Sequence, residues 1–141
     1  MKAVIDTNIF FSAIWRTGSK PHQILVHLLD GAFDLILSTD LEQEMRRILT
    51  GGDFLAGVRW TASDSHLFVD RLRSIAERVE PGFTLTVLRD ESDNRLLEAA
   101  QAAEADYLVT GDKPILDLGT FGQTQIVTAA HFLELLDSGT S

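Results

Sequence analysis

Four carboxylates stand at points of the sequence where a predicted strand gives way to a helix. Asp6 directly follows the first apolar run, and Glu44 lies about one and a half turns into the helix after the second. Asp93 falls in the first turn of the helix after the third strand, and Asp112 follows the fourth strand. Ligands of open α/β sheets bind outside the carboxyl ends of the strands. The spacing therefore predicts that the four carboxylates meet at one rim of a sheet.

The chemistry of such a set follows from its charge. Any one of these acids has an ordinary structural explanation, because Asp is common at helix N-termini. Glu44, however, lies beside an apolar stripe that includes Leu41 and Ile48, where a charge is costly unless it is paired or metal-bound. Crowded carboxylates need a neutralising partner, and oxygen-only ligands select Mg²⁺ or Mn²⁺. Such ions bind substrate phosphates, so the pattern predicts phosphodiester hydrolysis.

Short β-rich runs and longer helical patterns alternate along the chain and position these residues. The predicted strands cover residues 2–5, 33–37, 83–87, 107–109 and 126–127. Helices are predicted to begin at Ser19, at Thr39 in a capping box with Glu42, at Thr61 with Asp64, at Ser92 and at Thr128. Strands separated by helices favour parallel crossovers. The expected fold is therefore α/β, a three-layer α/β/α sandwich with a central, mostly parallel sheet.

Length and composition limit the classes of protein that the sequence allows. The 141 residues suit a single domain, predicted over residues 1–141. The net charge of −9 argues against a protein that coats duplex DNA, since phosphate binding draws on surplus Lys and Arg. Cysteine is absent, which excludes disulfides and thiolate chemistry and is consistent with a reducing cytoplasm. We expect neither a membrane helix nor a signal peptide, because the apolar runs are short.

Several of these segments together resemble the PIN-domain family. They are Asp6-Thr7-Asn8 after a short N-terminal strand, the acid in the helix after the second strand, residues 90–94 (DESDN) and residues 107–112 (YLVTGD). The likeness covers nearly the whole chain and, within the family, is to the VapC-like ribonucleases of bacterial toxin–antitoxin pairs. The resemblance implies a PIN-like fold.

The resemblance also implies an Mg²⁺- or Mn²⁺-dependent endoribonuclease that hydrolyses RNA. The catalytic, metal-binding acids of the family are matched by Asp6, Glu44, Asp93 and Asp112. The polar positions beside them are matched by Thr7, Asn8 and Thr110. Such toxins form dimers and are blocked by a cognate antitoxin, so the expected partners are RNA, an antitoxin and a second copy. Relatives often carry Pro before the third acid, where this chain has Glu91-Ser92; a contribution from Asp90 or Glu91 therefore stays open.

Further polar and basic residues have candidate roles around the acids. Asn8 and Asn94 are candidates to orient the ligating carboxylates, and turn residues without a part in catalysis are equally expected there. Contacts with the substrate are assigned to Arg46 and Lys113. These two belong to a basic border that also includes Arg16, Lys20, Arg47, Arg59 and Arg89.

Three aromatic residues follow the first acid, namely Phe10, Phe11 and Trp15. Packing in the core is the first expectation for them, and stacking on an RNA base is the alternative. Because a chain with a net charge of −9 repels a polyanion, its affinity for RNA irrespective of sequence is expected to be weak.

Other activities are alternatives to an RNA-cleaving toxin. The sequence does not separate a toxin from a PIN-fold nuclease of RNA maturation, or from one that cuts structured nucleic acid without an antitoxin. An Mg²⁺-dependent phosphatase of the haloacid-dehalogenase type requires a second acid two residues after the first, where this chain has Asn8. A non-catalytic regulatory module similar to a response-regulator receiver requires paired acids after the first strand, and Asp6 stands alone there.

Overall fold

A six-stranded sheet lies at the centre of the computed structural model, which describes residues 1–139. The strands are β1 (Lys2–Ile5), β2 (Asp34–Leu37), β3 (Glu77–Arg78), β4 (Tyr107–Val109), β5 (Thr120–Phe121) and β6 (Thr124–Val127). They lie in the order β3-β2-β1-β4-β6-β5. All neighbouring pairs are parallel except β5 and β6, which form an antiparallel hairpin. The predicted α/β class with a mostly parallel sheet is therefore confirmed. Residues 140 and 141 of the predicted domain lie outside the described residues.

Helices cover both faces of this sheet. They are α1 (Thr7–Trp15), α2 (Lys20–Leu29), α3 (Thr39–Leu49), α4 (Gly52–Leu55), α5 (Ala62–Ile75), α6 (Glu91–Ala103), α7 (Lys113–Leu116) and α8 (Ala129–Asp137). Consecutive strand residues point to opposite faces, and the successive residues Val4 and Ile5 of β1 are both buried. On the sheet, α1 packs against α2, α2 against α8, and α3 against α5. None of the helices within residues 1–139 combines the length and apolar character that a membrane crossing requires.

The predicted strand at residues 83–87 is wrong. These residues form no strand, and the third strand of the sheet is the two-residue β3, which pairs with β2. Side chains of α6 fix the segment after β3 instead. The Glu98 carboxylate accepts the Leu85 N–H at 2.8 Å, and the Asn94 amide bonds both the N–H and the carbonyl of Leu88. Alternation of apolar and polar residues cannot show whether a neighbouring strand is free, and here β3 already occupies the edge of β2.

Local capping signals locate most of the helices. Three predicted starts are confirmed, at Ser19, Thr61 and Thr128. At Thr61 both hydrogen bonds of the capping box with Asp64 are present. Five elements of the structure are absent from the prediction, namely the helices α1, α4 and α7 and the strands β3 and β5. The strand β5 returns to β6 through Gly122, which has the left-handed conformation (φ 59°).

The starts of α3 and α6 differ from the prediction. Ser38 rather than Thr39 caps α3, and its hydroxyl accepts the Leu41 N–H at 3.2 Å. Asp90 rather than Ser92 caps α6, and its carboxylate accepts the Ser92 N–H at 2.8 Å. In both cases two capable residues stand close together, and the one with extended backbone takes the role.

Candidate active site

The ends of β1 and β4, with the N-terminal halves of α3 and α6, enclose a polar pocket, here named the acid pocket. Its carboxylates are Asp6, Glu44, Asp90, Asp93 and Asp112. Its other polar lining residues are Thr7, Asn8, Arg47 and Ser92. All four acids singled out in the sequence therefore line one pocket, although they come from four separate segments of the chain.

Asp6 is held by hydrogen bonds from both sides. Its carboxylate caps α1 by accepting the Asn8 N–H at 3.4 Å, and it accepts the Thr110 hydroxyl at 2.8 Å. The same Thr110 oxygen accepts the Asp112 N–H at 3.0 Å, so this buried side chain links β1 to the start of α7. Burial raises the pKa of Asp6, and the negative charge of Asp112 raises it further. The hydrogen bonds from Thr110, Asn8 and Thr7 oppose that rise by favouring the carboxylate.

Asp93 and Asp112 share a hydrogen bond across the pocket. Two carboxyl groups can bond in this way only when one of them carries a proton. Burial and this hydrogen bond raise the pKa of Asp93 to about 7, and the negative charges of Asp112, Asp90 and Asp6 add to the effect. The second oxygen of Asp112, Oδ2, is buried and has no hydrogen-bond partner among the described residues. An unpartnered carboxylate oxygen of this kind is an available ligand position.

Glu44 is engaged by two neighbours at the mouth of the pocket. The Arg47 guanidinium pairs with its Oε1, and the Ser92 hydroxyl donates to Oε2 at 3.3 Å. The Arg47 side chain is 71% exposed, so it is anchored to the protein mainly through Glu44. Arg47 is the cation that the structure places in the acid pocket. The sequence includes it in the basic border but does not single it out.

Arg46 and Lys113, the two residues predicted to contact the substrate, lie outside the acid pocket. The Arg46 guanidinium bonds the carboxylates of Glu42 and Asp70 and the ring of His66, on the face of α3 that packs against α5. Lys113 is 83% exposed, and its ammonium pairs with Asp117 within one turn of α7. Neither residue lines the acid pocket. In the structure these charges serve contacts within the protein.

The polar residues expected around the acids are divided between two roles. Thr7 and Asn8 line the acid pocket at the start of α1, and Thr110 bonds Asp6 directly. Asn94 is buried, and its side-chain amide forms both of its hydrogen bonds with the backbone of Leu88. Its contact therefore fixes the loop before α6 and does not orient a ligating carboxylate.

Asp90, Glu91 and Asp93 lie near the start of α6, and their positions show which of them belongs to the acid pocket. Asp93 points into the acid pocket and bonds Asp112. Asp90 lines the same pocket while it caps α6. Glu91 is exposed and lines only the adjoining groove between α3 and α6. Asp93 is thus the group in direct contact with another site acid, and Asp90 contributes negative charge beside it.

The donor set of the acid pocket fits a hard divalent cation. Asp6, Asp93 and Asp112 take part in no ion pair with another residue of the described part of the chain, although all three line one pocket. Oxygen-only ligands of this kind bind Mg²⁺ or Mn²⁺. Within residues 1–139, no three His, Asp or Glu side chains are already grouped as a cation site. In the described structure Glu44 pairs with Arg47, and Asp93 lies beside Asp112.

A parallel sheet with carboxylates gathered at the ends of its strands defines an α/β protein with an acidic site of the nuclease type. A family model described as PIN domain matches residues 2–114. The chain therefore belongs to the PIN-domain family. PIN domains are in general nucleases that use divalent metal ions.

Two further similarities agree with this assignment. The chain is 25% identical over 122 residues to an uncharacterized protein of Methanocaldococcus jannaschii, a match that covers 84% of this chain and 75% of that protein. A chain of the crystal structure of VapBC2 from Rickettsia felis, bound to a DNA fragment from their promoter, superposes with a TM-score of 0.59. That match has 14% sequence identity and covers 91% of this chain and 98% of the other. At this identity the similarity shows the fold.

Proposed function

We propose that the protein is an Mg²⁺- or Mn²⁺-dependent endoribonuclease and the toxin of a type II toxin–antitoxin pair. The observation that carries the proposal is the meeting of Asp6, Asp93 and Asp112 in one pocket without a cationic partner among the described residues. Membership of a family of nucleases supports hydrolysis of a phosphodiester bond as the reaction.

In this proposal Asp6, Glu44, Asp93 and Asp112 hold the ion. A divalent ion, when bound, neutralises the carboxylates and stabilises negative charge on the phosphate that is attacked. The buried Thr110 keeps Asp6 and the backbone of Asp112 in fixed positions through its two hydrogen bonds. Because its pKa is raised, Asp93 must lose its proton before it could serve as a ligand. Activity is therefore expected to rise with pH through about 7.

Arg47 supplies the positive charge at the mouth of the acid pocket. Its guanidinium is exposed and held by Glu44 alone among the described side chains. If Glu44 held the ion, Arg47 would be released from its ion pair and could bind a phosphate of the substrate. A guanidinium binds phosphate through two parallel hydrogen bonds, which suits this role.

An antitoxin and a second copy of the chain are the proposed protein partners. The match to a chain from a VapBC2 complex supports a toxin–antitoxin role. We expect the pair to act in the cytoplasm. Co-purification of the tagged chain with the product of an adjacent small gene tests the antitoxin, and the mass of the complex in solution tests the dimer. If no such neighbour exists and the chain purifies alone, the protein is a PIN nuclease without an antitoxin.

The enzymatic proposal is tested by the variant Asp6→Asn. Asn is as good a helix cap as Asp, so α1 is retained, while one negative ligand of the acid pocket is lost. We expect wild type to cleave total cellular RNA with Mn²⁺ and not with EDTA, and the variant to be inactive with both. Mapping of the cleaved ends gives the site of cutting.

The matched control for this experiment is Asp30→Asn. Asp30 is exposed at the end of α2 and lies outside the acid pocket. This variant removes the same charge and should cleave RNA as wild type does. Full activity of Asp6→Asn, or cleavage by wild type that EDTA does not stop, would contradict the proposed site.

A further inference from the structure

A second cavity lies at the far end of α1 and differs from the acid pocket in its chemistry. It is lined by Phe11, Ser12, Trp15, Arg16, Ser19 and Pro21, and we call it the α1 cavity. Two aromatic rings, two hydroxyls and a guanidinium line it, and no carboxylate is among its lining residues in the described chain. In a protein with 21 acidic and 12 basic residues, an aromatic cavity without carboxylates is a place that tolerates a polyanion.

The indole of Trp15 is held rigidly although 40% of the residue is exposed. Its ring N–H donates to the Phe54 carbonyl at 3.0 Å, and the Phe11 ring packs against it with centroids 5.1 Å apart. A Cβ added at Gly57 would lie 2.3, 2.5 and 2.7 Å from three successive atoms of the six-membered ring, which places the Gly57 backbone over one ring face. Gly57 thus covers one face, and a flat partner would contact the part of the ring that stays exposed, which is already fixed by its three neighbours and loses little entropy on binding.

Two cations without an ion-pair partner among the described residues lie at or next to the α1 cavity. Arg16 lines the α1 cavity, and Lys20 is exposed in the first turn of α2 beside it. Neither side chain takes part in an ion pair or a side-chain hydrogen bond with any residue from 1 to 139. Most of the other cations near the acids are engaged, as Arg46, Arg47 and Lys113 are. The two charges are therefore available to the phosphates of a strand bound at the α1 cavity.

One face of α1 joins the α1 cavity to the acid pocket. Asn8, Ser12 and Trp15 follow each other at steps of four and three residues, so they lie on the same side of the helix. Asn8 lines the acid pocket, while Ser12 and Trp15 line the α1 cavity. The helix rise gives about 10 Å between the first and last of these positions. That length spans roughly three nucleotides of a stacked single strand at about 3.4 Å each.

We propose that the α1 cavity binds a nucleobase of single-stranded RNA, stacked at Trp15, a few nucleotides from the phosphate that lies in the acid pocket. This inference rests on the proposed ribonuclease function and adds to it a subsite that selects unpaired RNA. A base inside a duplex has both faces covered by its neighbours and cannot enter such a site. Arg16 and Lys20 bind the phosphates next to the stacked base.

The test uses fluorescence of the full chain, because Trp15 and Trp60 are its only tryptophans. Trp60→Phe leaves Trp15 as the single reporter and keeps an aromatic ring between Phe54 and Phe68. This variant is titrated with hexauridylate in EDTA at low ionic strength, so that binding is read without cleavage. A hexamer of the same sugar-phosphate backbone without bases is titrated in parallel. We expect quenching by hexauridylate and none by the abasic hexamer.

The contribution of Arg16 is measured with Arg16→Ala in the Trp60→Phe background. Because the Arg16 side chain makes no hydrogen bond or ion pair among the described residues, its removal should leave the fold intact. We expect it to weaken hexauridylate binding by about fivefold, which is the lower end of the effect of losing one such contact. Arg71→Ala is the matched control, since Arg71 is exposed on α5 outside the α1 cavity. It removes the same charge and should change binding by less than about twofold.

The outcomes separate this proposal from the proposed activity. Equal quenching by the abasic hexamer, absence of quenching, or equal effects of the two arginine variants would overturn the subsite, even if wild type cleaves RNA with Mn²⁺. Base-dependent quenching in a protein that cleaves no RNA would support a base-binding cavity and contradict the ribonuclease function. Quenching that requires the bases, together with a selective loss in Arg16→Ala, is the result that supports the subsite.

Discussion

Replacement of Asp93 by Asn should stabilise the protein above neutral pH in the presence of EDTA. Burial, the hydrogen bond that the protonated Asp93 donates to Asp112 and nearby negative charges raise the pKa of Asp93 from its ordinary value of 3.8 to about 7. A carboxyl whose pKa is higher in the folded state stabilises the fold below the pKa of the unfolded chain. That contribution is lost as the pH rises through the folded pKa. Wild type should therefore lose stability between about pH 4 and pH 7, and the neutral Asn variant should not.

The size of the effect follows from the difference between these two values. A difference of about three pKa units corresponds to about 4 kcal/mol at most, at roughly 1.4 kcal/mol for each unit. Asp93 is only partly buried, so solvent screening reduces this ceiling. We expect Asp93→Asn to raise the free energy of unfolding by about 1–2 kcal/mol at about pH 8. At about pH 4.5 the gain should be close to zero.

Urea denaturation in EDTA at both pH values measures this gain. The exposed Asp30→Asn is the matched control and should show the same stability difference from wild type at the two pH values. In saturating Mn²⁺ the order of stabilities should reverse, because only wild type keeps all four ligands. A gain that is independent of pH, or a variant that is less stable than wild type at pH 8 in EDTA, would refute the assignment of crowded negative charge to Asp93.

Three further predictions concern the metal site and its supports. The rise in Tm of wild type with saturating Mn²⁺ should be larger at about pH 8 than at about pH 6, because Asp93 must be deprotonated to bind; an equal rise at both would contradict this. Glu42→Gln should lower the free energy of unfolding, measured by urea denaturation, by about 2–3 kcal/mol, because the buried Glu42 carboxylate accepts hydrogen bonds from Arg46 and Arg78. Unchanged stability would show that these hydrogen bonds do not stabilise the fold. Gly57→Ala should lower the free energy of unfolding by about 1–3 kcal/mol and shift the fluorescence of Trp15, because the new methyl group overlaps the indole.

The acids of the site could be predicted from the sequence because three of them follow an apolar run or lie at the start of a helix. The fourth, Glu44, lies beside an apolar stripe within a helix. Such positions are set by local rules of capping and hydrophobic periodicity, and the PIN-domain family is recognised from the same segments. Even the error at residues 83–87 leaves Asp93 in place. The reason is that the start of α6 depends on Asp90 and Ser92 and not on a preceding strand.

Which of the basic residues faces the acid pocket could not be predicted from local sequence patterns. Arg46 and Arg47 are adjacent in sequence and chemically identical, but successive helical residues point about 100° apart. One guanidinium lies between α3 and α5 and bonds Glu42, while the other lines the acid pocket beside Glu44. Their difference comes from the way in which α3 packs. The contact of Trp15 with Gly57 likewise joins segments that no local pattern relates.

The sequence by itself determined the alternating α/β pattern, the segments that carry the acids and the family. These features depend on hydrogen bonds and apolar periodicity within a few residues. Only the tertiary structure decided which carboxylates meet in one pocket, that the pKa of Asp93 is raised beside Asp112, and which arginine faces the pocket. The physical reason is that electrostatic energy depends on distance and burial in three dimensions, and helix packing sets both.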